Sequence, residues 1–310
     1  MSYVKNLISL ADINKAAVAG STLTYPCQKS IVQSLTNIFE NSDTNFHFDY
    51  CENINDGRGY TAGIVGFTTA THDAFSVVTN YTKLQPNNQL NPYYSTLQAL
   101  NVSGSSSTSG LSGFCDAWAA SCNDTIFRQV QVNTTDYMYF DPSQALGMAV
   151  GLVFPLSYGQ MYDAAIQHGL ESDPDSLPSM IAKTQSTMIS NGYAPTVAAG
   201  ADEIVWMTTF MNTRIYTLTH ASTAATRNVW SQSITRVKSY QYAASQGSWS
   251  FEASLNALDN DGKVVTLNCD PELWTRFVPT YRAESETPKI ATIVGIIVAI
   301  FIGLLVVLAG

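Results

Sequence analysis

The stretch CENINDGRGYTAGIVGFTT (Cys51–Thr69) places an acid, two glycines and an arginine between two runs that favour β-structure. Asn55, Asp56 and Gly57 are typical of a tight hairpin turn. Arg58 follows Asp56 by two residues, and a guanidinium so close is expected to keep that carboxylate ionised. The hairpin therefore suits a general base at Asp56, while the alternative is that Asp56 serves only the turn.

A second carboxyl group precedes the hairpin. QKSIVQSLTNIFEN (Gln28–Asn41) repeats apolar residues at helical spacing and predicts an amphipathic helix that ends near Glu40. The negative end of a helix disfavours an ionised carboxylate by up to about 1 kcal/mol, and so favours the protonated form that a general acid needs. The alternative is an exposed surface glutamate. One protonated and one ionised carboxyl group together are typical of glycoside hydrolysis.

Three other stretches predict secondary structure. ADEIVWMTTFMNTRIYTLTHA (Ala201–Ala221) predicts a long helix. GLVFPLSYGQMYDAAIQHG (Gly151–Gly169) starts irregularly and predicts a buried helix closed by its final glycine. FHFDYCENI (Phe46–Ile54) alternates aromatic and polar residues, which predicts a strand. The body of the chain is therefore expected to be mostly helical with some β-structure.

The end of the chain differs in composition from the rest. Residues 290–310 carry no charge, and at about 1.5 Å per residue such a helix would cross the roughly 30 Å hydrocarbon core of a membrane. We expect a C-terminal transmembrane anchor, with a cleaved lipid-anchor signal or a buried core helix as alternatives. The predicted division is an N-terminal segment 1–23, a catalytic domain 24–281, a linker 282–289 and an anchor 290–310.

Composition restricts the partners. Lys plus Arg number 15 and Asp plus Glu number 24, which gives a formal net charge of −9. An acidic surface argues against nucleic acid and in favour of neutral or cationic partners. The four histidines and five cysteines lie at no spacing typical of metal ligands, so we expect no metal and no cofactor.

Several features concern the compartment. Acceptor triplets for N-glycosylation occur at Asn80, Asn101, Asn123 and Asn133, and favour an extracellular or cell-surface protein held by the C-terminal anchor. The five cysteines favour the same compartment, and Cys115 and Cys122 are close enough in sequence to close a small loop. The N-terminus shows no clear apolar run of a signal peptide. A tail-anchored protein facing the cytosol is the alternative.

The quoted hairpin also belongs to a longer pattern. FENSD followed by YCENINDGRGYTAGIVGFTTATHD resembles the catalytic signature of the family 46 chitosanases, lysozyme-like enzymes that cleave glucosamine polymers. NYTKLQPNN, SGLSGFCDAWAASCNDTIFRQVQ, YMYFDPSQA, MYDAAIQHG and DPDSLPSMI follow in that family's order, so the resemblance covers residues 26–274. It implies a two-lobed, mostly helical α+β fold with a small β-hairpin or sheet at the cleft, to which the C-terminal transmembrane helix is added.

The resemblance also implies roles for individual residues. Glu40 matches the general acid of an inverting mechanism, Asp56 the general base, and Thr61 a threonine that helps to hold the attacking water. The implied substrate-binding positions are Arg58, Asp73, Thr71, Tyr50, Ser42 and Asn41. Asp163 matches the acid of a buried arginine–carboxylate network, for which Arg214 and Arg227 are the candidate partners.

The function implied by the resemblance is endo-hydrolysis of β-1,4 linkages in chitosan by a monomer without a cofactor. One departure is Ala62, where the family often has glycine. Two alternatives remain open at this point. The chain could be a membrane-tethered wall-binding module with altered catalysis, or it could hydrolyse partly acetylated chitin or peptidoglycan, because one fold serves several chemistries.

Overall fold

The computed structural model describes residues 23, 26–55 and 57–280. These residues form two compact units. The first unit contains the described residues up to Asp43 together with Met138–Pro271, and the second contains Thr44–Tyr137 with the described residues from Glu272 onward. Each unit has its own helices and its own small antiparallel sheet.

The elements are named here in chain order. The described helices are α1 (Pro26–Asn41), α2 (His72–Leu84), α3 (Tyr94–Ser103), α4 (Phe114–Ser121), α5 (Thr125–Thr135), α6 (Asp141–Val150), α7 (Pro155–His168), α8 (Leu177–Ser190), α9 (Glu203–Thr219), α10 (Ala224–Trp230) and α11 (Ile234–Ser245). The described strands are β1 (Cys51–Glu52), β2 (Thr61–Ala62), β3 (Phe67–Thr68), β4 (Ser254–Leu258) and β5 (Val264–Asn268). Short turns of 3-10 and π helix lie between them, at Asn91–Tyr93, Asp136–Phe140, Ser231–Ser233 and Ser248–Ser250.

Helix α7 is the buried centre of the first unit. Every residue from Leu156 to His168 is buried, as expected for a helix surrounded by others, and α1, α6, α8 and α11 all pack against it. Glu203 stabilises its start by accepting from the backbone amides of Val153 (2.8 Å) and Phe154 (2.9 Å). Gly169, at φ 70°, ends it. The helix predicted to close at Gly169 is confirmed.

The first unit also fixes helix α1. The disulfide Cys27–Cys269 joins the first turn of α1 to the residue after β5, across a sequence separation of 242. At the other end, Ser42 takes a left-handed φ of 63° and donates its amide to the carbonyl of Ile38 at 3.1 Å. A left-handed residue just beyond a helix is a usual way to end it, although serine adopts this conformation less easily than glycine. Both ends of α1 are therefore fixed.

The second unit contains the quoted hairpin. β1 pairs with β2, and β2 with β3, both antiparallel. Residues 53–60 join β1 to β2, so the connection is longer than the tight turn that the sequence suggested. Gly59, at φ 77°, allows close packing there, because a Cβ would lie 2.2 Å from the Thr69 hydroxyl oxygen. The connection therefore packs directly against the end of β3.

The strand predicted over Phe46–Ile54 is mostly wrong, since only Cys51 and Glu52 pair. The carbonyl of Phe48 accepts instead from the Trp118 indole nitrogen (2.9 Å) and from the Gln131 side chain (3.0 Å). A backbone that hydrogen-bonds to side chains of α4 and α5 is not free to form a ladder. The alternating aromatic residues of this stretch, such as Phe46 and Phe48, are buried in the core, but their backbone does not pair in a sheet.

The small disulfide loop that the spacing of Cys115 and Cys122 would allow does not form. Cys115 bonds to Cys51, and Cys122 is a free, buried thiol. Cys115 lies in α4 and Cys122 is its C-cap residue. Seven helical steps of 1.5 Å separate them by about 10 Å, which exceeds the Cα–Cα distance that a disulfide spans.

The described chain is a mostly helical α+β fold. The predicted fold class also included a transmembrane helix, and this requires a correction. Among the described residues, no helix is long and apolar enough to cross a membrane. The stretch 290–310 on which that expectation rested lies outside the described residues.

Candidate active site

Glu40 is the second-last residue of α1, and its side chain is buried, with 6% of the residue exposed. The carboxyl oxygen Oε1 accepts from Nη1 of Arg236 at 2.6 Å. Burial raises the pKa of Glu40, and the Arg236 guanidinium only partly offsets this effect. Burial, more than the helix terminus considered in the sequence, thus favours the protonated carboxyl group that a general acid needs.

Asn41 and Ser42 follow Glu40 at the end of the helix. Asn41 is half-buried, whereas Ser42 is exposed. Their predicted contact with substrate is not tested by these positions. The left-handed Ser42 ends α1 two residues after Glu40. Glu40 therefore lies in the last turn of α1.

Arg236 and Arg214 surround a second buried carboxylate, Asp163 of α7. Arg236 donates to both of its oxygens, with Nη2–Oδ1 at 2.8 Å and Nε–Oδ2 at 3.1 Å. Arg214 of α9 approaches Oδ2 at 2.7 Å, and the Thr36 hydroxyl donates to Oδ1 at 3.1 Å. Burial alone would raise the pKa of Asp163, but the two guanidinium groups together hold it well below its usual range.

Four charged side chains therefore form one buried network, which we call the ion network: Glu40, Arg236, Asp163 and Arg214. Helices α1, α11, α7 and α9 contribute one member each. When Glu40 is ionised, two carboxylates and two guanidinium groups balance in charge; when Glu40 is protonated, the network carries one net positive charge. Arg236 joins the candidate acid to the rest of the network, since it contacts both carboxyl groups.

The prediction of Arg227 as a partner of Asp163 is wrong. Arg227 of α10 is exposed, and it donates to the carbonyl of Ala221 at 3.0 and 3.1 Å. The second partner of Asp163 is instead Arg236, which was not predicted from the sequence. A signal for it exists in the sequence, because Arg236 shares its helical face with Tyr240 and Ala243, both buried. A charged residue on an apolar stripe indicates a buried partner.

Thr61 lies on β2 in the second unit, opposite Glu52 of β1 and Thr68 of β3. The residue is fully buried. No group among the described residues hydrogen-bonds its hydroxyl oxygen. A buried hydroxyl normally has a partner, so this oxygen can still accept or donate one hydrogen bond.

Asp73 and Thr71 lie together at the start of α2. Oδ1 of Asp73 accepts from the amides of Thr68 (3.0 Å) and Ala74 (2.9 Å) and from the Thr71 hydroxyl. Burial raises the pKa of Asp73, and these three hydrogen bonds partly counteract it. All three use one oxygen of the carboxylate. Asp73 therefore braces β3 against α2 through Oδ1 and keeps Oδ2 out of these contacts.

The remaining candidates also belong to the second unit. The Tyr50 hydroxyl donates to Glu52 at 3.4 Å near the protein surface. The carbonyl of Arg58 accepts from the amide of Ala70 at 3.2 Å, which fixes the connection on which the hairpin acid lies. Asp56 itself lies outside the described residues. Its role as general base stays a prediction.

The structure thus groups the candidate residues in two sets. Glu40, Asp163 and Arg214 meet in the first unit, together with Arg236. Thr71 and Asp73 meet in the second unit. Within residues 26–55 and 57–280, no cluster of three or more His, Cys, Asp or Glu side chains could hold a metal ion.

Comparison with known proteins identifies a family. The family model described as Glycosyl hydrolase family 46 matches residues 34–255. A chitosanase of Bacillus subtilis (strain 168) is 37% identical over 234 residues, covering 76% of this chain and 83% of that protein. A chitosanase of Streptomyces sp. (strain N174) is 39% identical over 204 residues, covering 64% of this chain and 69% of that protein.

Solved structures of chitosanases are also similar to this chain. The native chitosanase from Bacillus subtilis MY002 has a TM-score of 0.69 at 36% identity, covering 78% of this chain and 98% of that chain. The family 46 chitosanase of Gynuella sunshinyii, in complex with chitotetraose, has a TM-score of 0.70 at 35% identity. The match covers 79% of this chain and 98% of that chain. These findings confirm the family that the sequence motifs indicated.

We expect Arg236→Gln to reduce the free energy of unfolding by about 3–5 kcal/mol, because it leaves two buried carboxylates without their shared cation. Urea unfolding followed by circular dichroism measures this change. Arg227→Gln is the matched control, since that arginine is exposed and contacts only a carbonyl. Equal effects of the two substitutions would contradict the ion network as the main stabilising role of Arg236.

Proposed function

The chain belongs to glycosyl hydrolase family 46, and we propose that this glycoside hydrolase is a chitosanase that cleaves internal linkages of chitosan by inversion, with Glu40 as general acid and Asp56 as general base. The family assignment and the chitosanase relatives support the substrate. The residue roles rest on the motif match and on the environment of Glu40.

One observation carries the assignment of the acid. Glu40 is buried at the end of α1, and burial raises its pKa despite the contact with Arg236. A carboxyl group that keeps its proton to higher pH can donate it to a leaving group at the reaction pH. Because Glu40 also lies in the FENSD stretch of the family signature, its environment and the family resemblance support the same role.

The proposed reaction has one displacement step. The Glu40 proton moves to the glycosidic oxygen as the bond from that oxygen to the anomeric carbon breaks. A water attacks the anomeric carbon from the opposite face and gives its proton to Asp56. The Arg58 guanidinium, two residues from Asp56, favours the ionised base. Inversion needs carboxyl groups roughly 6.5–9.5 Å apart, which leaves room for the water.

We assign the positioning of that water to Thr61. Its side chain is buried, and no group among the described residues hydrogen-bonds its hydroxyl oxygen. A water that accepts from this hydroxyl, or donates to it, would satisfy the group and be held in one place. The hydroxyl lies on a paired strand, so its position is fixed by the sheet rather than by a mobile loop.

Charge supports a cationic polymer as substrate. The chain carries a formal net charge of −9, and chitosan carries ammonium groups, so the protein's field attracts the substrate at long range. A mutant of the Bacillus subtilis MY002 chitosanase was solved in complex with 6 GlcN. We propose that Asp73 binds one glucosamine ammonium group through Oδ2, because its hydrogen bonds with Thr68, Thr71 and Ala74 all use Oδ1.

We further propose that the catalytic domain is extracytoplasmic and N-glycosylated. Two disulfides, Cys27–Cys269 and Cys51–Cys115, favour an oxidising compartment. Three of the four acceptor asparagines are exposed and so can carry a glycan in the folded protein, namely Asn80, Asn123 and Asn133. Asn101 is half-buried.

Glu40→Gln and Asp56→Asn are each expected to reduce kcat by about 100-fold or more, because each removes one proton-transfer group. Release of reducing ends from chitosan measures the rate, and circular dichroism shows that each variant is folded. Asp261→Asn is the control, since that carboxylate is 73% exposed to solvent on the loop between β4 and β5 and pairs with the exposed Lys263. A Glu40→Gln variant with near-native activity would refute the acid assignment.

The product of a β-linked substrate should form first as the α-anomer, since the water attacks opposite to the leaving group. Proton NMR of fresh hydrolysate, recorded before mutarotation, distinguishes the two anomers. A β-anomer that appears first would require a retaining mechanism and carboxyl groups about 5–5.5 Å apart.

Glycosylation is tested by expressing the full chain in its native host and treating it with a peptide N-glycosidase. We expect a mass decrease, which should be smaller when Asn80, Asn123 and Asn133 are together replaced by Gln. Treatment that leaves the mass unchanged, in a protein whose cysteines are all reduced, would contradict an extracytoplasmic location.

A further inference from the structure

His168 is the last residue of α7, and its ring is buried, with 1% of the residue exposed. Nε2 lies 3.3 Å from the Nε–H group of Arg214, and Nδ1 lies 3.0 Å from the carbonyl of Asp175. An arginine only donates and a carbonyl only accepts. The two contacts therefore fix a single form of the ring, which is neutral, protonated at Nδ1 and an acceptor at Nε2.

The charges around the ring favour the same form. Arg214 from α9 and Arg236 from α11 both disfavour a cation at this position, and Asp163 on the same helix opposes them. Burial is the largest effect, and with the two arginines it holds the pKa of His168 well below its ordinary value. From α10, the ring of Trp230 makes an uncharged edge contact at 4.7 Å.

Arg214 is held at both ends by neutral acceptors. His168 accepts from its Nε, and the Gln167 side-chain oxygen accepts from Nη2 at 2.6 Å. Nη2 also reaches Oδ2 of Asp163 at 2.7 Å. A guanidinium is planar, so two fixed contacts define the orientation of the whole group. The hydrogen bond to His168 thus helps to set the orientation of the Arg214 guanidinium relative to the Asp163 carboxylate.

We propose that His168 is a positioning residue for Glu40. By accepting from Arg214, it holds that guanidinium against one oxygen of Asp163, so that Arg236 is shared between Asp163 and Glu40. This inference rests on the proposed role of Glu40 as general acid. In this proposal His168 acts on the reaction indirectly, through Arg214 and Arg236, by influencing the protonation of Glu40.

The consequence of losing the acceptor follows from the contacts. Arg214 would no longer be fixed against Asp163, and Asp163 would draw Arg236 towards itself. A weaker contact between Arg236 and Glu40 would remove the influence that lowers the pKa of Glu40. The pKa of Glu40 would then rise further, and the basic limb of the pH–rate profile would move to higher pH.

Three substitutions separate the two hydrogen bonds of the ring. His168→Gln can place an acceptor near the position of Nε2, His168→Asn can place a donor near the position of Nδ1, and His168→Phe keeps only the ring. We expect kcat on chitosan to fall about 3- to 30-fold in the Asn and Phe variants, the range for coupling through packed side chains. KM should stay unchanged, and the Gln variant should retain most of the wild-type kcat.

The pH–rate profile and a matched control complete the test. The Asn and Phe variants should show the upward shift of the basic limb, whereas the Gln variant and His220→Asn, at an exposed histidine of the same unit, should not. A purely structural role would lower stability in all three His168 variants and leave the limb in place. An unshifted limb in the folded Asn variant, or equal kcat in the Gln and Asn variants, would overturn the proposal.

A readout on the wild-type protein does not depend on activity. Nitrogen-15 NMR of the labelled histidines should show His168 protonated at Nδ1 only, and still neutral at pH 6.5, the ordinary pKa of a histidine. A cationic His168 at that pH would overturn the proposal even if every variant failed to fold. Failure of the proposed function is recognised separately, because Glu40→Gln would then remain active whatever the state of His168.

Discussion

The guanidinium of Arg236 is the contact on which the site depends. It lies 2.6 Å from Glu40 and 2.8 Å from Asp163, and so links the candidate acid to the buried charges of Asp163 and Arg214. Four helices each supply one member of the ion network, so its contacts join all four helices. The ion network therefore ties the protonation of Glu40 to the packing of the first unit.

Burial and charge act in opposite directions on Glu40, and their balance has a functional meaning. Burial raises the pKa of the carboxyl group, and Arg236 limits that rise. A carboxyl group with too low a pKa could not protonate the leaving oxygen, and one with too high a pKa would give up its proton reluctantly. Arg236 is thus the adjustable element, and Asp163 and Arg214 decide how strongly it acts on Glu40.

The sequence predicted the parts of this account that have a local signal. Helical spacing placed Glu40 near the end of α1, and the buried helix that ends at Gly169 follows from its composition. Arg236 was missed in favour of Arg227, because the apolar stripe of α11 indicates a buried face but does not show which carboxylate packs against it. The partner of Cys115 could not be predicted for a similar reason, since cysteines seven residues apart lie about two helical turns apart and the actual partner lies on another element, β1. Such errors concern contacts between elements, which depend on the packed structure.

The most direct test of the central claim is the titration of the Glu40 carboxyl group itself. Carbon-13 NMR of a protein labelled at its glutamate carboxyl carbons, with the resonance assigned through its loss in Glu40→Gln, gives the pKa without any rate measurement. The account predicts a midpoint above the 4.5 of an unperturbed glutamate in the free enzyme. A midpoint at or below that value would contradict it, because Glu40 would then be ionised at the pH of the reaction.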